Sequence, residues 1–233
     1  MRHPARLLEL KRERKRGLMQ QLLTGKVRFK EFEGLEWVTI RFGEIFKRVV
    51  RKNSIGDTNL LTISGALGLV SQYEFFNKRV ASEKVEGYYL LKNGEFAYNK
   101  SYSNGYPVGA IKRLDRYEQG VLSTLYICFA VANPRANNDF FSHYFESGIF
   151  NNEIRLITQE GARNHGLLNV STGDFFDTLV HLPHFEEQQK IAAVLSTADT
   201  ELENLETQLA ALRTQKRGLM QQLLTGRTRV NLV

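Results

Sequence analysis

Toward the end of the chain, apolar residues recur with helical spacing. Ile191, Leu195, Ala198, Leu202, Leu205, Leu209, Leu212, Lys216, Leu219 and Leu223 follow one another in alternating steps of four and three. Nine of these ten are apolar, and only Lys216 breaks the stripe. A seam sustained over about four and a half heptads predicts a coiled-coil helix. Glu186 and Glu187 fall in its first turn, where carboxylates suit the positive end of the helix dipole. Gly226 suits the left-handed cap at its exit. About 40 helical residues extend roughly 60 Å at 1.5 Å each, too far for a small domain to cover the seam. The seam therefore calls for a second helix.

A repeat supplies a candidate. KRGLMQQLLTG runs from Lys15 to Gly25 and recurs letter for letter from Lys216 to Gly226. Identity over eleven residues marks one element used twice. In that alignment Leu8, Leu18 and Leu22 match Leu209, Leu219 and Leu223, while Pro4, Lys11 and Lys15 take the other seam positions. The N-terminal copy thus predicts a shorter, weaker helix from about Ala5 to Thr24, capped by Gly25.

Between the helices the patterning is mixed α/β. YYLLKNGEFAYN reads as a hairpin about Asn93-Gly94, the preferred two-residue turn. PVGAIKRL and GVLSTLYICFAV read as two further strands, and TLVHLP as a last strand before the long helix. NNDFFSHYFES suits a short helix with Phe140, Phe141, Tyr144 and Phe145 on one side. The many Phe and Tyr residues are read chiefly as core.

Composition changes this picture little. At 233 residues, 42% hydrophobic and 24% charged, the chain has globular proportions for one or two domains. Cys128 is the sole cysteine, so no disulfide framework exists within one chain, which fits a reducing cytoplasm. No run of 18 apolar residues suggests a membrane span.

Charge changes it more. The net charge is +7, but residues 1–30 hold 10 Lys/Arg against 2 Glu, while residues 31–185 hold 16 Lys/Arg against 17 Asp/Glu. The excess lies in the N-terminal segment, where a solvated helix face is the plain reading. Within the middle segment the cations cluster. Arg41, Lys47, Arg48, Arg51 and Lys52 form one group, and Lys100, Lys112, Arg113 and Arg116 a second. Asn99, Ser101, Tyr102 and Asn104 add short polar and aromatic groups beside the latter. Such loops suit DNA, with cations on phosphates and Arg or Asn side chains on base edges.

Catalytic patterns are missing. Asn133-Pro134-Arg135-Ala136 lacks the second proline and the aromatic ring of an adenine-methylating loop, and no phosphate-binding G-x-x-x-x-G-K-[ST] occurs. His181 and His184 have no further partner for a metal, and Asp115 with Glu118 reads as a solvated loop. No cofactor and no enzymatic activity are expected.

Three stretches carry a family resemblance. LEWVTIRFGEIFKRV, EFAYNKSYSNGYPVGAIKRLDRYEQGVLSTLYICF and HLPHFEEQQKIAAVLSTADTELENLETQLAALRTQKRGLMQQLLTG resemble the specificity subunit of a type I restriction–modification system. The first is similar to the start of a target-recognition domain, and the third to the helical spacer that follows one. The resemblance implies a partial spacer helix over residues 1–30, a mixed α/β recognition domain with a twisted sheet over 31–183, and a full spacer over 184–233. Family members usually carry two recognition domains and two spacers, so this chain resembles a half-size form. The resemblance implies double-stranded DNA, a methyltransferase subunit and a restriction subunit as partners. Together with the unpaired seam, it leads to the expectation of a homodimer through Ile191, Leu195, Leu202, Leu205, Leu209, Leu212, Leu219 and Leu223. An interaction protein that pairs with a full subunit or a methyltransferase without reading DNA stands as the alternative.

Overall fold

The computed structural model describes residues 2–65, 67–76, 85–102, 105–163 and 167–227. Helix α1 (Arg2–Leu22) leads through a 3-10 turn at Lys30–Phe32 into strand β1 (Val38–Arg41), helix α2 (Phe42–Ile45) and strand β2 (Phe46–Arg48). Strands β3 (Leu61–Ser64) and β4 (Gly68–Ser71) pair before helix α3 (Gln72–Phe76). Then come β5 (Tyr89–Lys92), β6 (Phe96–Asn99), β7 (Ala110–Arg113), β8 (Gln119–Leu122) and β9 (Ile127–Val131). Helices α4 (Asn138–Glu146) and α5 (Asn151–Ile157), strands β10 (Gln159–Arg163) and β11 (Leu167–Asn169), helix α6 (Thr172–Asp177) and strand β12 (Leu179–Leu182) complete the domain. Helix α7 (Phe185–Leu224) follows. The mixed α/β class, the short first helix and the long final helix agree with the sequence reading.

The central sheet has the order β2-β9-β6-β7 and is antiparallel throughout. Both faces are covered. Phe96 and Tyr98 of β6, with Ile127 and Phe129 of β9, join a phenylalanine-rich core. Ala97 and Cys128, one residue out of phase, join a second core with Val49, Leu61, Leu91 and Leu122. This period of two explains why ICFAV reads as an unbroken apolar run. In the first core Phe42 and Phe46 stack at 4.4 Å, and Phe96 and Phe129 at 5.4 Å. The four aromatic residues of α4 singled out above are all buried there.

Two strand readings need correction. Asn93-Gly94 does turn the chain, with Gly94 at φ +82, but β5 and β6 do not pair. β5 pairs with β8, and β6 lies between β7 and β9. The turn is held from outside: Gly94 N–H donates to Leu114 O and Asn93 N–H to Glu118 O, both at 2.8 Å. It is a corner between sheets. GVLSTLYICFAV is likewise two strands, β8 and β9, broken by a turn in which Tyr126 N–H donates to Ser123 O at 3.1 Å.

The strands that open and close the domain pair with each other. β1 and β12 run antiparallel, with Val38 opposite Leu182 and Arg41 opposite Leu179. Since α1 precedes β1 and α7 follows β12, this pairing brings the two helices together in opposite directions. Met19, Leu22 and Leu23 of the α1 end and Ile191, Ala192 and Leu195 of α7 enter the same core. Each such large side chain stabilises the junction by about 1.5–3 kcal/mol when fully buried. Gln188 is also fully buried: its amide donates to Arg135 O and Pro183 O at 2.8 and 2.9 Å, and its Oε1 accepts Asn137 N–H at 2.8 Å. Asn137 in turn caps α4, accepting from Phe140 N–H at 2.8 Å.

Candidate nucleic-acid interface

The first basic group is centred on β2, an edge strand of the central sheet. Arg41 ends β1, and Lys47 and Arg48 lie in the outer strand β2. Arg41 and Lys47 are exposed and form no ion pair among the described residues. Arg48 and Lys52 converge on Tyr89: Arg48 Nη2 donates to its hydroxyl at 3.3 Å, and Lys52 Nζ stands 4.6 Å from its ring centroid. Arg51 forks the Glu95 carboxylate at 3.1 and 3.0 Å. Its charge is already matched within the fold.

Of the second group, Lys112 and Arg113 lie at the opposite edge, on β7, while Lys100 follows β6 and Arg116 follows β7. Three strand spacings separate the two outer strands, about 14 Å. Lys112 pairs with Glu146 and donates to the Tyr106 hydroxyl at 2.8 Å. That hydroxyl also lies 2.8 Å from Gly65 O and from Glu146 Oε1. Burial and the Glu146 carboxylate push the Tyr106 phenol up from its ordinary value, so it stays protonated. Arg113 sits between Asp115 at 2.6 Å and Asp139 at 2.7 Å. Arg116 is exposed and in no ion pair among the described residues. Asn99 ends β6 and accepts Ser101 N–H at 3.0 Å, Lys100 O accepts Leu168 N–H at 3.0 Å, and Tyr102 is largely exposed. Asn104 lies outside the described residues. The structure thus places Lys47 and Arg48 at one sheet edge and Lys112 and Arg113 at the other, and pairs Arg51, Lys112 and Arg113 internally.

Helix α7 divides into three stretches. Ile191 and Leu195 are buried in the chain's own domain. Leu202, Leu205 and Leu209 are half-buried. Leu212, Leu219 and Leu223 are 46%, 59% and 46% exposed. The middle stretch is flanked by α1, which runs antiparallel to it. Lys11 meets Glu201 and Arg12 meets Glu206, both at 2.5 Å, and Lys15 pairs with Asp199. Leu18 and Val194 line one small cleft between the helices. His143 of α4 joins from the domain, with Nε2 3.1 Å from Ser196 Oγ and Nδ1 3.7 Å from Asp199. Burial holds His143 below its ordinary value, against the pull of Asp199.

Two features of this junction escaped the sequence reading. Glu187, only 1% exposed, is forked by Arg28 at 2.9 and 2.5 Å, and its carboxylate raises the Arg28 guanidinium above its usual range. Gly25, at φ +69, lies against the Trp37 ring, where an added Cβ would stand 3.3 Å away. A signal for the first existed: Arg28 follows Gly25 by three residues, and Arg229 follows Gly226 by three. No group of three or more His, Cys, Asp or Glu placed to hold a metal ion occurs among the described residues. No helix there is long and apolar enough to cross a membrane.

Residues 35–213 match the model of the family described as type I restriction modification DNA specificity domain. The HsdS subunit from Thermoanaerobacter tengcongensis is similar in structure, with a TM-score of 0.56 at 12% identity over 95% of this chain and 52% of that one. The S subunit of the Type-I restriction-modification system from M. genitalium matches with a TM-score of 0.56 at 15% identity, over 94% of this chain and 55% of that one. At such identities the likeness is one of fold. The chain spans about half the length of these subunits. The family match runs through the domain and far along α7, and with it the chain belongs to the family of type I restriction modification DNA specificity domains.

Proposed function

We propose that the chain is the sequence-reading component of a type I restriction–modification complex and does no chemistry of its own. It directs a separate methyltransferase, and with it a restriction subunit, to DNA in the cytoplasm. The observation that carries this reading is the family match over residues 35–213, which takes in both the domain and most of the seam. DNA contact is assigned to the two sheet edges. Of the residues named above, Arg41, Lys47 and Arg116 are exposed and in no ion pair among the described residues, so they are open to phosphates. Arg48 and Lys52 lie near Lys47 in sequence, and Asn99 ends β6 with Lys100, Ser101 and Tyr102 following it. Arg51, Lys112 and Arg113 must leave internal partners to take part.

The chain acts as a homodimer through antiparallel α7 helices, since Leu212, Leu219 and Leu223 lie beyond the reach of its own domain and α1. Two identical heads facing opposite ways read a symmetric, bipartite site, with the helices fixing the gap. Methylome sequencing of cells carrying this chain and its methyltransferase tests partner and symmetry together. A motif with two unrelated halves contradicts the homodimer.

One observation favours a second reading. The middle segment has 16 cations against 17 anions, and several of the cations are paired internally. An interaction protein without DNA reading fits that charge balance. Salt-dependent, sequence-selective DNA binding by the assembled complex excludes it.

A further inference from the structure

The eleven residues Lys15–Gly25 and Lys216–Gly226 are identical, yet their surroundings differ completely. In the N-terminal copy Met19, Leu22 and Leu23 are 6%, 6% and 1% exposed, sunk into the domain core beside Trp37. In the C-terminal copy their counterparts Met220, Leu223 and Leu224 are 48%, 46% and 82% exposed. A groove that accepts this sequence is therefore filled once, and a second copy of the same sequence is held out in solvent at the end of α7.

We propose that α1 is a placeholder, and that the C-terminal repeat of a second copy of this chain displaces it from its groove on the domain. The proposal rests on the homodimer reading and specifies how that dimer is built. Three matches beyond the eleven letters support it. Gly226 already holds φ +71, like Gly25 at φ +69, so the turn that must pass Trp37 is preformed. Arg229 follows Gly226 at the spacing that places Arg28 on the buried carboxylate of Glu187, so the incoming segment brings its own replacement cation in sequence. The seam itself is self-complementary. In the present pair Lys15 meets Asp199, and Leu18 lies by Val194. Substituting the repeat counterparts Lys216 and Leu219 keeps those contacts. The same register sets Leu212 opposite Leu202 and Leu209 opposite Leu205 of the second copy. At the positions of Leu205 and Leu212, α1 offers Pro4 and Lys11. The incoming helix thus covers half-buried leucines that α1 leaves open, and it buries its own exposed ones in doing so.

The geometry gives the test two cysteine pairs. Cys128 is buried and does not interfere. In L18C/V194C, a short bifunctional maleimide closes the chain on itself. In V194C/L219C, the two cysteines lie about 37 Å apart along one helix, so a link can form only between copies. The expected result is a covalent dimer from V194C/L219C, and suppression of the dimer once L18C/V194C has been closed. The substitution pair K11E/K15E sets carboxylates against Glu201 and Asp199, which loosens α1 but leaves the incoming Lys216 untouched. It should tighten the dimer by about tenfold in sedimentation equilibrium. A dimer by light scattering without the V194C–L219C link, or one weakened by K11E/K15E, overturns the placeholder and leaves the homodimer standing. A monomer under every condition overturns both.

Discussion

At the scale of single residues, the closing glycines of the two repeat copies separate position from identity. Gly25 and Gly226 share a left-handed backbone, but only Gly25 has a neighbour that an added Cβ would meet. Gly25→Ala should lower stability by about 1–2 kcal/mol in thermal or urea unfolding. Gly226→Ala should leave the monomer's transition in place, because a free helix end unwinds at little cost. Equal effects from the two would mean that Trp37 does not constrain the turn. His143 makes a second residue-scale prediction. Its buried imidazole takes up a proton at lower pH than in the unfolded chain, whose ordinary value is 6.5. Stability is therefore complete above about pH 6.5 and falls as the pH drops through the folded value. Burial lowers that value most; of the charges that face the ring, Asp199 and Asp139 pull it up and Lys15 and Arg113 push it down. His143→Gln should flatten the melting-temperature profile between about pH 7 and 5, and a profile unchanged by the substitution would remove His143 as its source. Cys128, whose thiol burial pushes up to about 12, should resist thiol reagents until the chain unfolds. Little of this was legible from composition. The basic residues were easy to find in the sequence, but their partners were not: Glu95 lies 44 residues from Arg51, and Glu146 lies 34 from Lys112. Local charge counting sees a free cation where the fold has made a pair.

At the scale of elements, the helices were legible and the strand pairing was not. The heptad fixes α7 because a period near 3.5 persists over many turns, and a sheet has no equivalent long signal. Asn93-Gly94 marks a turn correctly, but a turn does not dictate which strand its neighbours join. The bonds to Leu114 and Glu118 decide that, and they lie 20 and 25 residues away in the chain. Arg28 and Glu187 show the same non-local logic between the exit of α1 and the first turn of α7. Removing one partner leaves a buried charge alone, so Arg28→Ala should destabilise the chain by about 3–5 kcal/mol. Arg28→Met combined with Glu187→Leu should recover most of that loss. Denaturant midpoints of the three variants measure it, and a double variant as unstable as Arg28→Ala would show that packing, not charge, holds the junction.

At the scale of the whole molecule, the proposed dimer makes α7 a spacer between two heads. One heptad inserted beyond Leu212 lengthens the rod by about 10 Å, or about three base-pair steps. The methylated half-sites should move apart by that amount while their sequences stay unchanged, and a site whose spacing ignores the insertion would separate the helix from any measuring role. The antiparallel pairing of β1 with β12 has a consequence of another kind. Because the chain leaves its head beside the point where it came in, the head hangs from the rod as a side loop, not as a link in it. Between Arg41 and Leu179, the segments that do not touch α1 or α7 can drift or exchange loops without changing the rod's length or phase; Arg135, Asn137 and His143, which bond α7, are the fixed points. Such an architecture lets evolution change the lettering of the key while the shank still fits the lock.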